Sequence, residues 1–139
     1  MTYDVVSTRK VRKIILFKRP EDIFDFVKRY ANSKQEQFLV VTLNGAHQVI
    51  SVKLATIGLA NRTIVHPREV FVHAIKDGAS AVVVAHNHPS GNVKPSPEDD
   101  NITDKLKRAA DVLGINLLDH LVFSKTEYYS FRQNGRLWD

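Results

Sequence analysis

Apolar residues along this chain of 139 residues change their period several times, and the changes divide it into alternating strands and helices. The β-branched run Val11 to Phe17 predicts a strand. Arg19-Pro20-Glu21-Asp22 then predicts a helix start, because proline suits the first helical position and acids favour the first turn. Ile23, Phe24, Phe26, Val27 and Tyr30 supply the apolar face of that helix. Gln37 to Leu43, the Asn44-Gly45 turn and the run Val49 to Ile57 predict a β-hairpin. Pro67 to Asp77 has helical spacing and ends at Gly78, which suits a left-handed cap. Ser80 to Ala85 is almost continuously apolar, as in a central strand covered on both faces.

After the Pro/Gly-rich segment Asn87 to Pro95, helical spacing returns from Ser96 to Leu113 and stops at Gly114. Ile115 to Phe123 predicts a second buried strand, and Glu127 to Phe131 an edge strand beside it. The sum is an α/β fold with three layers, α/β/α, around a central mixed sheet. Its length and 43% hydrophobic content suit a single domain over residues 1–139.

Charge and composition narrow the classes. Of 20 basic and 15 acidic residues, nine and four fall in residues 1–34, leaving eleven of each in the remainder, so the net +5 is N-terminal. Arg9, Lys10, Arg12, Lys13, Lys18 and Arg19 form a basic extension over about residues 1–19, either a solvated edge or a contact for nucleic acid, with no interleaved aromatic residues to sharpen it. The start MTYDVVSTRK lacks the apolar stretch of a secretory signal, and no run approaches the roughly 18 apolar residues of a membrane span. The absence of cysteine excludes disulfides, thiolate metal sites and a cysteine nucleophile. These features predict a cytoplasmic protein with no membrane partner.

The chemistry concentrates in His86-Asn87-His88 and Ser96-Pro97-Glu98-Asp99-Asp100. Two histidines at i and i+2, leaving an extended strand, project to one side and can offer two imidazole nitrogens to one ion. Asp99 can supply a third ligand from the first turn of the next helix, and two His with one Asp plus water make an open zinc site. Ser96 to Asp99 is equally an ordinary helix start, with Ser as N-cap and an acid three residues on.

The whole string, His-x-His followed by seven residues, Ser, two residues and Asp, resembles the JAMM signature of MPN/JAB metallopeptidases. Ile64-Val65-His66-Pro67-Arg68-Glu69-Val70-Phe71, Ala85-His86-Asn87-His88-Pro89-Ser90-Gly91 and Leu118-Asp119-His120 resemble the RadC family more closely, over about residues 20 to 135. The resemblance implies a JAB/MPN, cytidine-deaminase-like architecture and selects Asp99 over Asp100. It also implies a catalytic glutamate upstream of the histidines, for which Glu36 stands in the matching position. RadC proteins commonly carry an N-terminal helix-hairpin-helix region that is absent from this sequence, which weakens any DNA role taken from the family name.

The implied activity is zinc-assisted hydrolysis of an amide or isopeptide bond in a peptide substrate. One Zn2+ per chain, held by His86, His88 and Asp99, would lower the pKa of its water from 15.7 towards about 7. Glu36 would take the water's proton and pass it to the leaving amine, a role suited to a carboxylate whose pKa is raised by partial burial. Ser96 would donate to the oxyanion, a contribution of about 3 kcal/mol. His66 is expected to be structural, His120 to be either a neighbour of a ligand or a satisfied core residue, and His47 and His73 to be exposed. The alternative function is a non-catalytic or weakly active nucleic-acid-associated module with a structural metal site. A nucleobase deaminase is excluded by the missing cysteine ligands, and a metallonuclease is disfavoured by the scarcity of acids. The sequence specifies neither the substrate nor the oligomeric state.

Overall fold

A computed structural model describes residues 2–3, 10–11, 14–32, 34–57 and 65–137. Two short strands, β1 (Thr2–Tyr3) and β2 (Lys10–Val11), pair with each other. The helix α1 (Pro20–Val27) continues as a 3-10 turn over Lys28–Asn32. There follow β3 (Gln37–Leu43), β4 (Val49–Ile57), α2 (Pro67–Asp77), β5 (Ala81–Asn87), α3 (Pro97–Leu113), β6 (Asn116–Phe123) and β7 (Tyr128–Ser130). The main sheet has the order β4-β3-β5-β6-β7. Among the described strands only the β5–β6 pairing is parallel, and α3 makes the crossover between those two strands.

Alternation along β5 explains its unbroken apolar run. Val82 and Val84 join Phe38, Val40, Val70, Phe71, Leu106 and Ala110 in a core beneath α2 and α3. Val83 and Ala85 join Ile23, Val27, Leu39, Val41 and Leu121 in a second core beneath α1. Helices thus cover both faces of a mixed sheet, as the sequence pattern implies. The same alternation turns His86, two residues beyond Val84, to the α2/α3 side. Among the described residues, no helix is long and apolar enough to cross a membrane.

The first strand expectation requires correction. Of Val11 to Phe17, only Val11 is in a strand, Arg12 and Lys13 lie outside the described residues, and Leu16 makes an isolated bridge to Gln48. Val49 N donates to Ile15 O and Phe17 N to His47 O, so the segment is attached at the hairpin turn rather than along a ladder. Beyond it, the Lys18 and Arg19 amides donate to Asp22 Oδ2 at 2.8 and 2.9 Å, which starts α1 and ends any pairing. Arg9 also lies outside the described residues.

The hairpin itself is as expected, but its loop is longer than an Asn-Gly turn. Asn44 Oδ1 accepts from the amides of Ala46 and Gln48, and the left-handed conformation falls on His47, with φ 61°. His47 and His73 are half-buried rather than exposed, His47 beside the Phe17 ring and His73 with its pKa lowered by burial. His66 is exposed and caps α2 through its backbone carbonyl.

Asp22 gives a pH-dependent test of the α1 start. Burial alone would raise its pKa, but the two amides outweigh it and hold the carboxyl below its ordinary value. A depressed native pKa stabilises the fold above the unfolded value near 3.9, and that stability is lost as pH falls through the native value. Asp22→Asn should therefore lower stability by about 0.5 kcal/mol at neutral pH. Urea titrations of both proteins should converge towards pH 2, and a gap constant with pH would refute the charge–amide account.

Candidate metal centre

The site forms where the C-terminal end of β5 meets the start of β3 and the N-terminus of α3. Antiparallel pairing sets Phe38 opposite His86. Two residues further along each strand, Glu36 and His88 therefore face each other. The loop after β5 returns the chain so that the first turn of α3 brings Asp99 over the same point. Ligand atoms of Glu36, His86, His88 and Asp99 all lie within 4.8 Å of one another. His86 Nε2 is 2.9 Å from Asp99 Oδ1, 3.2 Å from His88 Nε2 and 3.5 Å from Glu36 Oε1, and His88 Nε2 is 3.2 Å from Asp99 Oδ2.

Backbone and side-chain hydrogen bonds hold each member. The Ser96 hydroxyl accepts from Asp99 N at 3.1 Å while Asp99 Oδ2 accepts from Ser96 N at 2.8 Å, a complete capping box. The capping and ligand readings of Asp99 are therefore compatible, since Oδ1 still faces His86. Asp100 turns away and pairs with Arg136 at 2.6 Å. Behind His86, its Nδ1 lies 2.9 Å from His120 Nε2, and Phe38 stacks on its ring at 5.6 Å between centroids.

Two residues with supporting contacts were not singled out by the sequence reading. Asn87 is fully buried; its Oδ1 accepts from Gln37 N at 2.7 Å and its Nδ2 donates to Gln35 O at 3.2 Å. It clasps the backbone on either side of Glu36. Thr103, one turn after Asp99, reaches both the Asp99 carbonyl and His120. A polar residue inside an otherwise apolar strand, and a hydroxyl at i+4 from a ligand candidate, were the available signals. Asn87→Ala would remove both bonds and leave a gap at a fully buried position, so denaturant titration should show a loss of about 1–3 kcal/mol. A change below about 0.5 kcal/mol would show that the clasp carries little energy.

The donor set suits a cation. The Asn92 carbonyl can only accept, so His88 Nδ1 at 2.7 Å carries a hydrogen, and in the neutral ring Nε2 has a lone pair for a cation at the cluster. Two carboxylates converge on the same point. Burial opposes the charged form of His88, yet the hydrogen bonds to Asp99 and Asn92 outweigh it and raise its pKa. For Asp99, burial would raise the pKa, but the two imidazoles set against it, His86 and His88, hold it far below the ordinary carboxylate range. Positive charge is thus favoured where these four side chains meet. The cluster sits in a cavity of about 450 Å³, lined also by Val65, Pro89, Ser96, Glu98 and Ile102.

The family model for the RadC-like JAB domain matches residues 17–136. The chain belongs to this family. Among its curated relatives, a UPF0758 protein of Methanospirillum hungatei is 51% identical over 107 residues, covering 77% of this chain and 48% of the relative. One from Picosynechococcus is 50% identical over 105 residues, covering 76% and 43%. One from Chlorobium chlorochromatii is 42% identical over 132 residues, covering 94% and 58%. The chain thus spans about half the length of these RadC-family relatives. Of the segments that carried the sequence resemblance, only Ile64 lies outside the described residues.

Proposed function

We propose that this RadC-like JAB domain is a zinc-dependent hydrolase that cleaves an amide or isopeptide bond in a peptide substrate. The observation that carries the reading is the position of the two-histidine, two-carboxylate cluster within a cavity wide enough for a substrate segment. His86, His88 and Asp99 would hold the ion, and Glu36 stands beside them. A zinc ion with three such ligands supplies Lewis acidity and brings the pKa of water near to neutrality.

The chain's own residues divide the remaining work. Glu36, clasped through its neighbours by Asn87, receives a proton at its carboxylate and returns it to the leaving amine. The Ser96 hydroxyl uses its oxygen to cap α3, so its hydrogen remains available to donate to an oxyanion. Val65, Pro89 and Ile102 give the cavity an apolar wall against which a substrate segment can pack.

Purified protein incubated with a panel of peptides and lysine-linked isopeptides should cleave at least one member. Chelation should abolish that cleavage, and about one equivalent of zinc per chain should restore it. Cleavage that survives complete metal removal would overturn the reading.

A further inference from the structure

Behind the metal centre, a chain of hydrogen bonds joins the back of one ligand candidate to the backbone of another. Thr103 Oγ1 lies 2.8 Å from the Asp99 carbonyl, which can only accept, so the hydroxyl hydrogen points there. The same oxygen is 2.5 Å from His120 Nδ1 and accepts from it. His120 is fully buried, its ring stacked on Phe131 at 4.7 Å, and its nitrogens face a hydroxyl and another imidazole. With its Nδ1 hydrogen committed to Thr103 and another imidazole, not a carboxylate, against its Nε2, the ring carries a single N–H. Its Nε2 therefore accepts from His86 Nδ1 at 2.9 Å. Run in the opposite direction, the chain would leave two oxygens 2.8 Å apart with no hydrogen between them.

We propose that His120 and Thr103 are positioning residues of the metal centre, whose relay fixes His86 in its Nδ1–H form and ties that ring to the backbone of Asp99. The consequence is a lone pair on His86 Nε2, aimed at the point where His88, Asp99 and Glu36 converge. Two ligands on different elements, β5 and α3, are then oriented by one buried hydrogen-bonded chain that passes through β6. A packing role alone would ask only for residues of the right size at positions 103 and 120. The hydrogen-bond directions ask for a hydroxyl and an imidazole. This inference rests on the zinc reading above.

The test compares wild type with Thr103→Val, which is nearly isosteric, Thr103→Ser, which restores the hydroxyl, and His120→Leu. Zinc affinity is measured by chelator competition, the His86 tautomer by 15N NMR of the metal-free protein at pH 8, and folding by thermal melting. Thr103→Val and His120→Leu should weaken zinc binding by about 10- to 100-fold. Thr103→Ser should stay within about threefold of wild type, and the Nδ1–H signal of His86 should be lost in Thr103→Val. Wild-type zinc affinity and an unchanged tautomer in folded Thr103→Val would overturn the relay. If the wild type itself binds no zinc, the metal reading fails separately, and the tautomer comparison still decides the relay: a switch upholds it, and no switch overturns it.

Discussion

Glu36→Gln is expected to lower turnover by about 10²- to 10⁴-fold while leaving zinc content unchanged. The amide keeps the size and polarity of the side chain but removes the site that receives a proton. Glu36 Oε1 is 3.5 Å from His86 Nε2, whereas Asp99 approaches both histidines at 2.9 and 3.2 Å. That asymmetry fits the proposed division between a proton carrier and a ligand. Were the metal structural, Glu36 would close its coordination as a fourth ligand, and Glu36→Gln would weaken zinc binding. Parallel measurement of cleavage and zinc affinity in this one variant therefore distinguishes the hydrolase from a module with a structural ion. Loss of zinc with the loss of turnover would favour the latter.

His88→Ala should lose zinc outright under conditions where wild type is saturated. Spreading about 10–16 kcal/mol of structural zinc affinity over four ligands gives about 3 kcal/mol for each, or more than 100-fold in affinity. The imidazole enters from the mouth of the site, held by the Asn92 carbonyl, so its removal leaves the β5 core untouched. Asp99→Asn should show a comparable loss and Asp100→Asn none, because Asp100 is occupied by Arg136 at the surface. Isothermal titration with zinc would measure all three. Equal behaviour of the two aspartate variants would place the third ligand elsewhere.

How far the sequence could be read follows from which interactions are local. The β5 strand was legible because both its faces are covered, and α2 and α3 because proline, acid and glycine mark their ends. His86, His88 and Asp99 lie on either side of one loop, so their spacing allowed a shared ion, but Asp99 also read as a helix cap until the JAMM resemblance selected it. Glu36 required the resemblance, since β3 reaches β5 only through the sheet and nothing in its own neighbourhood marks it. The segment up to Phe17 misled because β-branched composition favours a strand but does not supply a partner; its bonds go to the hairpin turn instead. The supporting contacts of Asn87 and Thr103 are formed with residues brought close by the fold, so their partners could not be read from sequence spacing alone.

The central claim is that His86, His88 and Asp99 bind one zinc ion and leave a coordination position for solvent. Anomalous diffraction above and below the zinc edge, from crystals grown with zinc, tests it most directly. The account predicts one peak per chain at about 2.0–2.2 Å from both Nε2 atoms and an Asp99 oxygen, with water completing the tetrahedron. No peak at this position, or one with the Glu36 carboxylate as the fourth ligand, would contradict it.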